Sequence, residues 1–161
     1  MDFRTPRLRV ENWTPHLEDE VRRLSLVRNL AAILTPDVLR HLPEPLQLAE
    51  TVSVSDWMDD RASESAVFLV RETGQDTVIG LLLLAQPDPS SIETHIGYLF
   101  SETAWGQGFA TELIRGLTTA IPRPARLLAG VDDGNPASAR VLEKTGFARA
   151  PGSTLFSLSL D

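Results

Sequence analysis

The stretch that most limits how this chain folds runs from residue 92 to residue 120. Ile92 to Phe100 has strand character, and Phe109, Leu113 and Leu117 recur at i, i+4 and i+8, with Ala110, Ile114 and Ile121 beside them. Between the two lies Trp105-Gly106-Gln107-Gly108-Phe109-Ala110-Thr111. The apolar recurrence makes residues from about Gly108 to Ala120 an amphipathic helix. Residues as small as Gly106 and Gly108 let main-chain N–H groups approach an anion closely, and the helix N-terminus adds a favourable dipole. The same glycines also suit a plain strand-to-helix turn, so the loop alone leaves both readings open. Two phosphate motifs are excluded: a dinucleotide fingerprint needs a third glycine where Thr111 stands, and a P-loop needs a lysine, of which there is none before Lys144.

The flanking pattern is a mixed α/β order over residues 1–161, expected to form one domain. Arg7 to Val10 alternates as a strand, and Thr14-Pro15 opens a helix whose face is Leu17, Val21, Leu24 and Arg28. Thr35-Pro36 starts a second helix that Pro43 and Pro45 end, and Ser55-Asp56-Trp57 begins a third reaching Ala62. Ala66 to Arg71 and Thr77 to Ala85 read as a hairpin around Thr73-Gly74-Gln75-Asp76. After the long helix come a strand at Leu127 to Val131, a short helix from Asn135-Pro136 to Gly146, and a last strand at Thr154 to Leu160.

Composition narrows the chemistry. There is no cysteine, which excludes disulfides, thiolate metal sites and cysteine nucleophiles; His16, His41 and His95 have no spacing that aims two at one ion, so no metal is expected. The net charge of −7 argues against nucleic acid and anionic membranes, and residues 1–100 hold 9 basic and 16 acidic side chains against 6 of each afterwards. The longest apolar run, Val78 to Ala85, is too short to span a bilayer, and Met1 is followed by Asp2 and Arg4 rather than an apolar signal core, so the expected location is the cytoplasm.

Thr94-His95-Ile96-Gly97-Tyr98 followed by Trp105-Gly106-Gln107-Gly108-Phe109-Ala110-Thr111-Glu112 resembles the central motif of the GNAT N-acetyltransferases. Asn135-Pro136-Ala137-Ser138-Ala139-Arg140-Val141-Leu142-Glu143-Lys144-Thr145-Gly146-Phe147 resembles a second motif of the RimJ/RimL-type branch, and Thr5-Pro6-Arg7-Leu8-Arg9 resembles that branch's opening strand. Trp105 departs from the family's Arg/Gln at the head of the loop and removes a side-chain donor, while Val27 to Asp60 matches nothing in the pattern. The resemblance implies a mostly antiparallel sheet of six to seven strands flanked by about four helices. It implies acetyl-CoA as cosubstrate and a primary amine as acceptor, either a protein N-terminus or a small cationic amine, and leaves a homodimer open.

Direct acetyl transfer needs a cradle for CoA, a grip on the thioester carbonyl, a base for the ammonium proton and a donor for the departing thiolate. The resemblance assigns the cradle to Trp105 through Thr111 and the carbonyl grip to main-chain N–H at Leu99, Phe100 and Ser101. Strand alternation puts Glu93, His95, Gly97 and Leu99 on one face, so the base is His95, biased by Glu93, or Glu93 itself, or a water relay. Asn135 is an N-cap to which the family adds a bond to the pantetheine arm; Ser138 is a third helical residue to which it adds donation to the thiolate. Arg140 and Lys144 share a helix face from which CoA phosphates are reachable, as are solvent and Glu143. No Gly-x-Ser-x-Gly elbow suggests an acyl-enzyme. The rival reading is a non-catalytic acyl-CoA-binding module of the same fold. The acidic N-terminal part predicts a cationic acceptor.

Overall fold

A computed structural model describes residues 1–161. Eight strands form one sheet: β1 (Phe3–Arg4), β2 (Leu8–Asn12), β3 (Ala66–Glu72), β4 (Val78–Ala85), β5 (Glu93–Phe100), β6 (Ala125–Gly130), β7 (Ala148–Arg149) and β8 (Leu155–Leu160), in the order β1-β2-β3-β4-β5-β6-β8-β7. Every neighbouring pair is antiparallel except β5 and β6, which are parallel and enclose the crossover helix α5 (Phe109–Ala120). The strands beyond the expected six to seven are β1 and β7, each two residues long and too short to show a period in sequence.

Both faces of the central strands are covered, which is why β3 and β4 read as nearly unbroken apolar runs. Phe68, Val70, Leu82 and Ile96 pack with Leu113, Ile114 and Leu117 of α5 and with Leu142 of α6 (Pro136–Lys144). On the other face Leu69, Leu81, Leu83 and Leu99 pack under α2 (Glu20–Ile33), α3 (Pro36–Leu39) and α4 (Val54–Glu64).

The helix expected from Thr14 is two helices. Asp19 has an extended backbone, its carboxylate accepts from Arg22 N–H, and it therefore ends α1 (Thr14–Glu18) and caps α2. The restart puts Leu26, Leu30 and Ile33 inward and turns the expected face outward: Val21 is 79% and Leu24 60% exposed. With α3 and α4 this makes six helices where about four were expected. No helix is long and apolar enough to cross a membrane.

The pairing of β5 with β6 positions the site. Residues Glu93, Thr94 and His95 pair with Arg126, Leu127 and Leu128, and there the ladder stops, although β5 continues to Phe100 and β6 to Gly130. The strands part, and the helices that follow each of them begin at the open end.

Candidate active site

The parted strands floor a cleft of about 1020 Å³, walled by the glycine loop and α5 on one side, by residues 130–142 on another, and by the turn after α3 on the third. Gly106 and Gly108 have φ of +74° and +79°, a region in which a side chain is strained. Gly108 is the N-cap of α5 and supplies no side-chain cap. As a result the six consecutive amides from Gly106 to Thr111, all with a free N–H, donate to no acceptor in the protein. The other long helices are closed: Asp19, Ser53 and Asn135 each accept from the first turn of α2, α4 and α6. An uncapped helix start lined by free amides fits a phosphate group.

Around the loop, Trp105 is half exposed and its Nε1–H donates to Phe100 O at 2.9 Å, so the indole ties the loop to the end of β5. Gln107 turns its side chain outward, donating to Thr103 O at 3.0 Å, and is not part of the cleft lining. Phe109 is buried, while Ala110 and Thr111 line the cleft.

The β4–β5 register sorts the carbonyl grip. Ser101 N–H donates to Ile79 O, and alternation in an antiparallel ladder commits Leu99 to Leu81 in the same way. The N–H groups of Tyr98 and Phe100 point the opposite way, toward β6, where pairing has ceased. Of the three expected positions only Phe100 therefore aims its N–H into the gap, and Tyr98 joins it.

The two faces of β5 carry different chemistry. His95 is exposed and lines the cleft on the side of α3 and α4, and its imidazole makes no hydrogen bond within the protein. Glu93 does not bias it: its carboxylate accepts from Arg126 Nη1 at 2.9 Å and lies outside the cleft lining. On the opposite face Tyr98 OH donates to Ser138 Oγ at 3.1 Å, and Ser138 N–H donates to Asn135 Oδ1 at 3.2 Å. Burial pushes the Tyr98 phenol above its ordinary range, an effect the Ser138 bond only partly offsets. Tyr98 went unassigned because alternation was followed along the other face; its signal was being the only tyrosine, within the central motif. Arg140 is exposed and does not line the cleft.

Residues 37–46, within the Val27 to Asp60 stretch that matched nothing in the pattern, roof the cleft on the His95 side. Trp57 is 2% exposed, covers the core, and donates from Nε1 to Leu46 O at 3.1 Å; Arg61, one turn on, is also buried and donates to Pro45 O. These bonds hold Leu46 above Gly97, where a Cβ would stand 3.4 Å from Leu46 Cδ1. His41 reaches across to Asp132, Nδ1 to Oδ2 4.0 Å. The carboxylates on the wall, Asp37 and Glu64, are paired with Arg40 and Arg61. The acidic excess of residues 1–100 is thus not displayed in the cleft.

Comparison with known proteins agrees with this geometry. A family model described as an acetyltransferase (GNAT) domain matches residues 7–148. A GNAT-family acetyltransferase from Bacillus anthracis superposes with a TM-score of 0.74 at 16% identity, over 99% of this chain and 98% of that one. A RimL ribosomal-protein alpha-N-acetyltransferase solved in complex with coenzyme A gives 0.71 at 16% identity, over 100% and 99%. RimJ of Mycobacterium smegmatis, solved with a CoA disulfide, gives 0.69 at 17% identity, over 99% and 86%. No curated protein sequence matches the chain.

Proposed function

The chain belongs to the GNAT acetyltransferase family, and from that premise we propose that it is an acetyl-CoA-dependent N-acetyltransferase of the RimJ/RimL-like branch, acting on a primary amine such as a protein N-terminus. The observation that carries the reading is the row of six unpartnered amides at the start of α5, opening on the gap between β5 and β6. Acetyl-CoA supplies the activated acetyl thioester. Its pyrophosphate would be held by the amides of Gly106 to Thr111, and its pantetheine arm by the unpaired edge of β5 and by Asn135.

The Phe100 N–H, with that of Tyr98 beside it, is fixed by the strand and aimed into the gap, where it stabilises negative charge on a carbonyl oxygen. Donors held in this way are worth about 2.7–4 kcal/mol each in acyl transfer. His95 takes the ammonium proton from the face under α3 and α4, through an imidazole nitrogen that accepts it directly or by way of water. Glu93, held by Arg126, is not available for that task. Ser138 meets the sulfur from the opposite face and donates a hydrogen bond to the departing thiolate, which leaves readily at a thiol's ordinary pKa of ~8.5 and takes its proton from solvent. Base and donor thus lie on opposite faces of one strand, and the gap joins them.

The wall of the acceptor end lacks an unpaired carboxylate, which favours a single amine beside apolar surface over a polycation. The test is thiol release from acetyl-CoA across a panel of N-terminal peptides and small amines, with CoA affinity measured by calorimetry. Turnover with peptide amines is expected. Binding of CoA without turnover on any amine would favour the non-catalytic module, and failure to bind CoA would remove both readings.

A further inference from the structure

Trp105 and Gln107 tie the head of the glycine loop to Phe100 and Thr103, but the residue that holds its 107–108 peptide comes from the other end of the chain. Arg7, between β1 and β2, donates from Nη1 to Gln107 O at 2.9 Å, and its guanidinium lies 4.5 Å over the Phe109 ring. Glu112, in the first turn of α5, sets the guanidinium in place: Oε2 accepts from Arg7 Nε at 2.6 Å, and Oε1 accepts from Arg7 N–H at 2.8 Å and from Thr5 Oγ1 at 2.6 Å. Burial pushes the Glu112 carboxyl up, but these hydrogen bonds and the Arg7 charge outweigh it and hold the group below its ordinary range. The same segment is seated on α5 at Gly116, where a Cβ would come within 2.6 Å of Thr5 Cγ2.

The geometry of one peptide group gives this network its consequence. The 107–108 bond is trans, so its C=O and N–H point in opposite directions. Fixing the Gln107 carbonyl on Arg7 fixes the Gly108 N–H on the far side of that peptide plane. Gly106 and Gly108 permit many other loop conformations, and Trp105 leaves the loop without a charged residue at its head.

We propose that Arg7 is a positioning residue for the phosphate cradle, acting through the 107–108 peptide and itself set by Glu112 and Thr5. This rests on the acetyl-CoA reading above. The ligand it serves is the pyrophosphate, so its effect belongs only to donors that carry one.

The experiment measures kcat/KM for acetyl-CoA and for S-acetylpantetheine, which lacks the nucleotide and pyrophosphate, in the wild type and in Arg7→Met, Arg7→Lys and Glu112→Gln. The preference for acetyl-CoA is expected to fall about tenfold or more in Arg7→Met, the size of a lost charge-assisted bond. Arg7→Lys is expected to lose most of it too, since one ammonium cannot replace the guanidinium fork at Glu112 and Gln107. Equal losses with both donors would mark a purely structural role and overturn the inference, as would an unaltered preference. If Arg7→Met fails to fold, the other two variants decide by the same ratio. A wild type that binds no acetyl-CoA overturns the function proposed above, whereas binding with the wrong ratio overturns only this inference.

Discussion

The two ends of the cleft are built in different ways. The end at the glycine loop takes its main-chain groups from short stretches, a strand end, a loop and the first turn of a helix within residues 98–111 and a second helix start at 135–138, though Arg7 braces it from far off in sequence. Its working groups are main-chain N–H, and its requirements are glycine conformation and an uncapped helix. The acceptor end is assembled from a distance: His95 and Gly97 from β5, Leu46 from the turn after α3, and Trp57 and Arg61 from α4 to hold that turn. A main-chain site leaves a short recurrent pattern in sequence, whereas a site made of packing leaves only apolar residues that also suit any core.

That contrast predicts which changes move which half. His95→Gln is expected to have the largest effect, lowering kcat by roughly 10²–10⁴-fold, the usual worth of a general base, with the acetyl-CoA Kd unchanged by calorimetry. A drop in CoA affinity instead would merge the two halves. Gly108→Val is the converse. Holding a side chain at positive φ costs about 1–2 kcal/mol or more, so the acetyl-CoA Kd is expected to rise about tenfold or more while the KM for the amine stays in place.

Trp57→Phe removes the donor to Leu46 O and keeps most of the ring's packing. It is expected to raise the amine KM about three- to tenfold, as one neutral hydrogen bond of ~1 kcal/mol suggests, and to spare acetyl-CoA binding. Glu112→Gln tests the donor end through pH. Because the folded carboxyl titrates below its unfolded value of ~4.3, its contribution is complete above that pH and is lost as pH falls through the lower, folded value. The gap in melting temperature between wild type and Glu112→Gln should therefore shrink in thermal scans carried below about pH 4.3. The smallest effect expected is that of salt: with Asp37 and Glu64 already paired, kcat/KM for the acceptor should change less than about twofold between low and physiological ionic strength. A steep fall would restore the cationic acceptor that the charge distribution of the chain first suggested.

Legibility followed the same division. The crossover helix, its glycine start and the Asn135 cap were readable because each rests on a few adjacent residues. The helix from Thr14 divides at Asp19, and only the extended backbone of Asp19 and its bond from Arg22 reveal that it caps a second helix start. Glu93 seemed to belong with His95 by strand parity, but parity fixes a face and not a partner, and Arg126 on the adjacent strand claimed it.

What the sequence by itself determined is the glycine start of the crossover helix and the family: closely spaced glycines that tolerate positive φ, and a run of apolar residues at helical period. The tertiary structure alone decided where β5 and β6 separate, that Tyr98 meets Ser138 across 40 residues, and that Arg7 reaches Gln107 across 100. The reason is physical. Local conformational preference is a property of a few consecutive residues, whereas the partner of a side chain is set by packing among strands and helices that sequence separation does not encode.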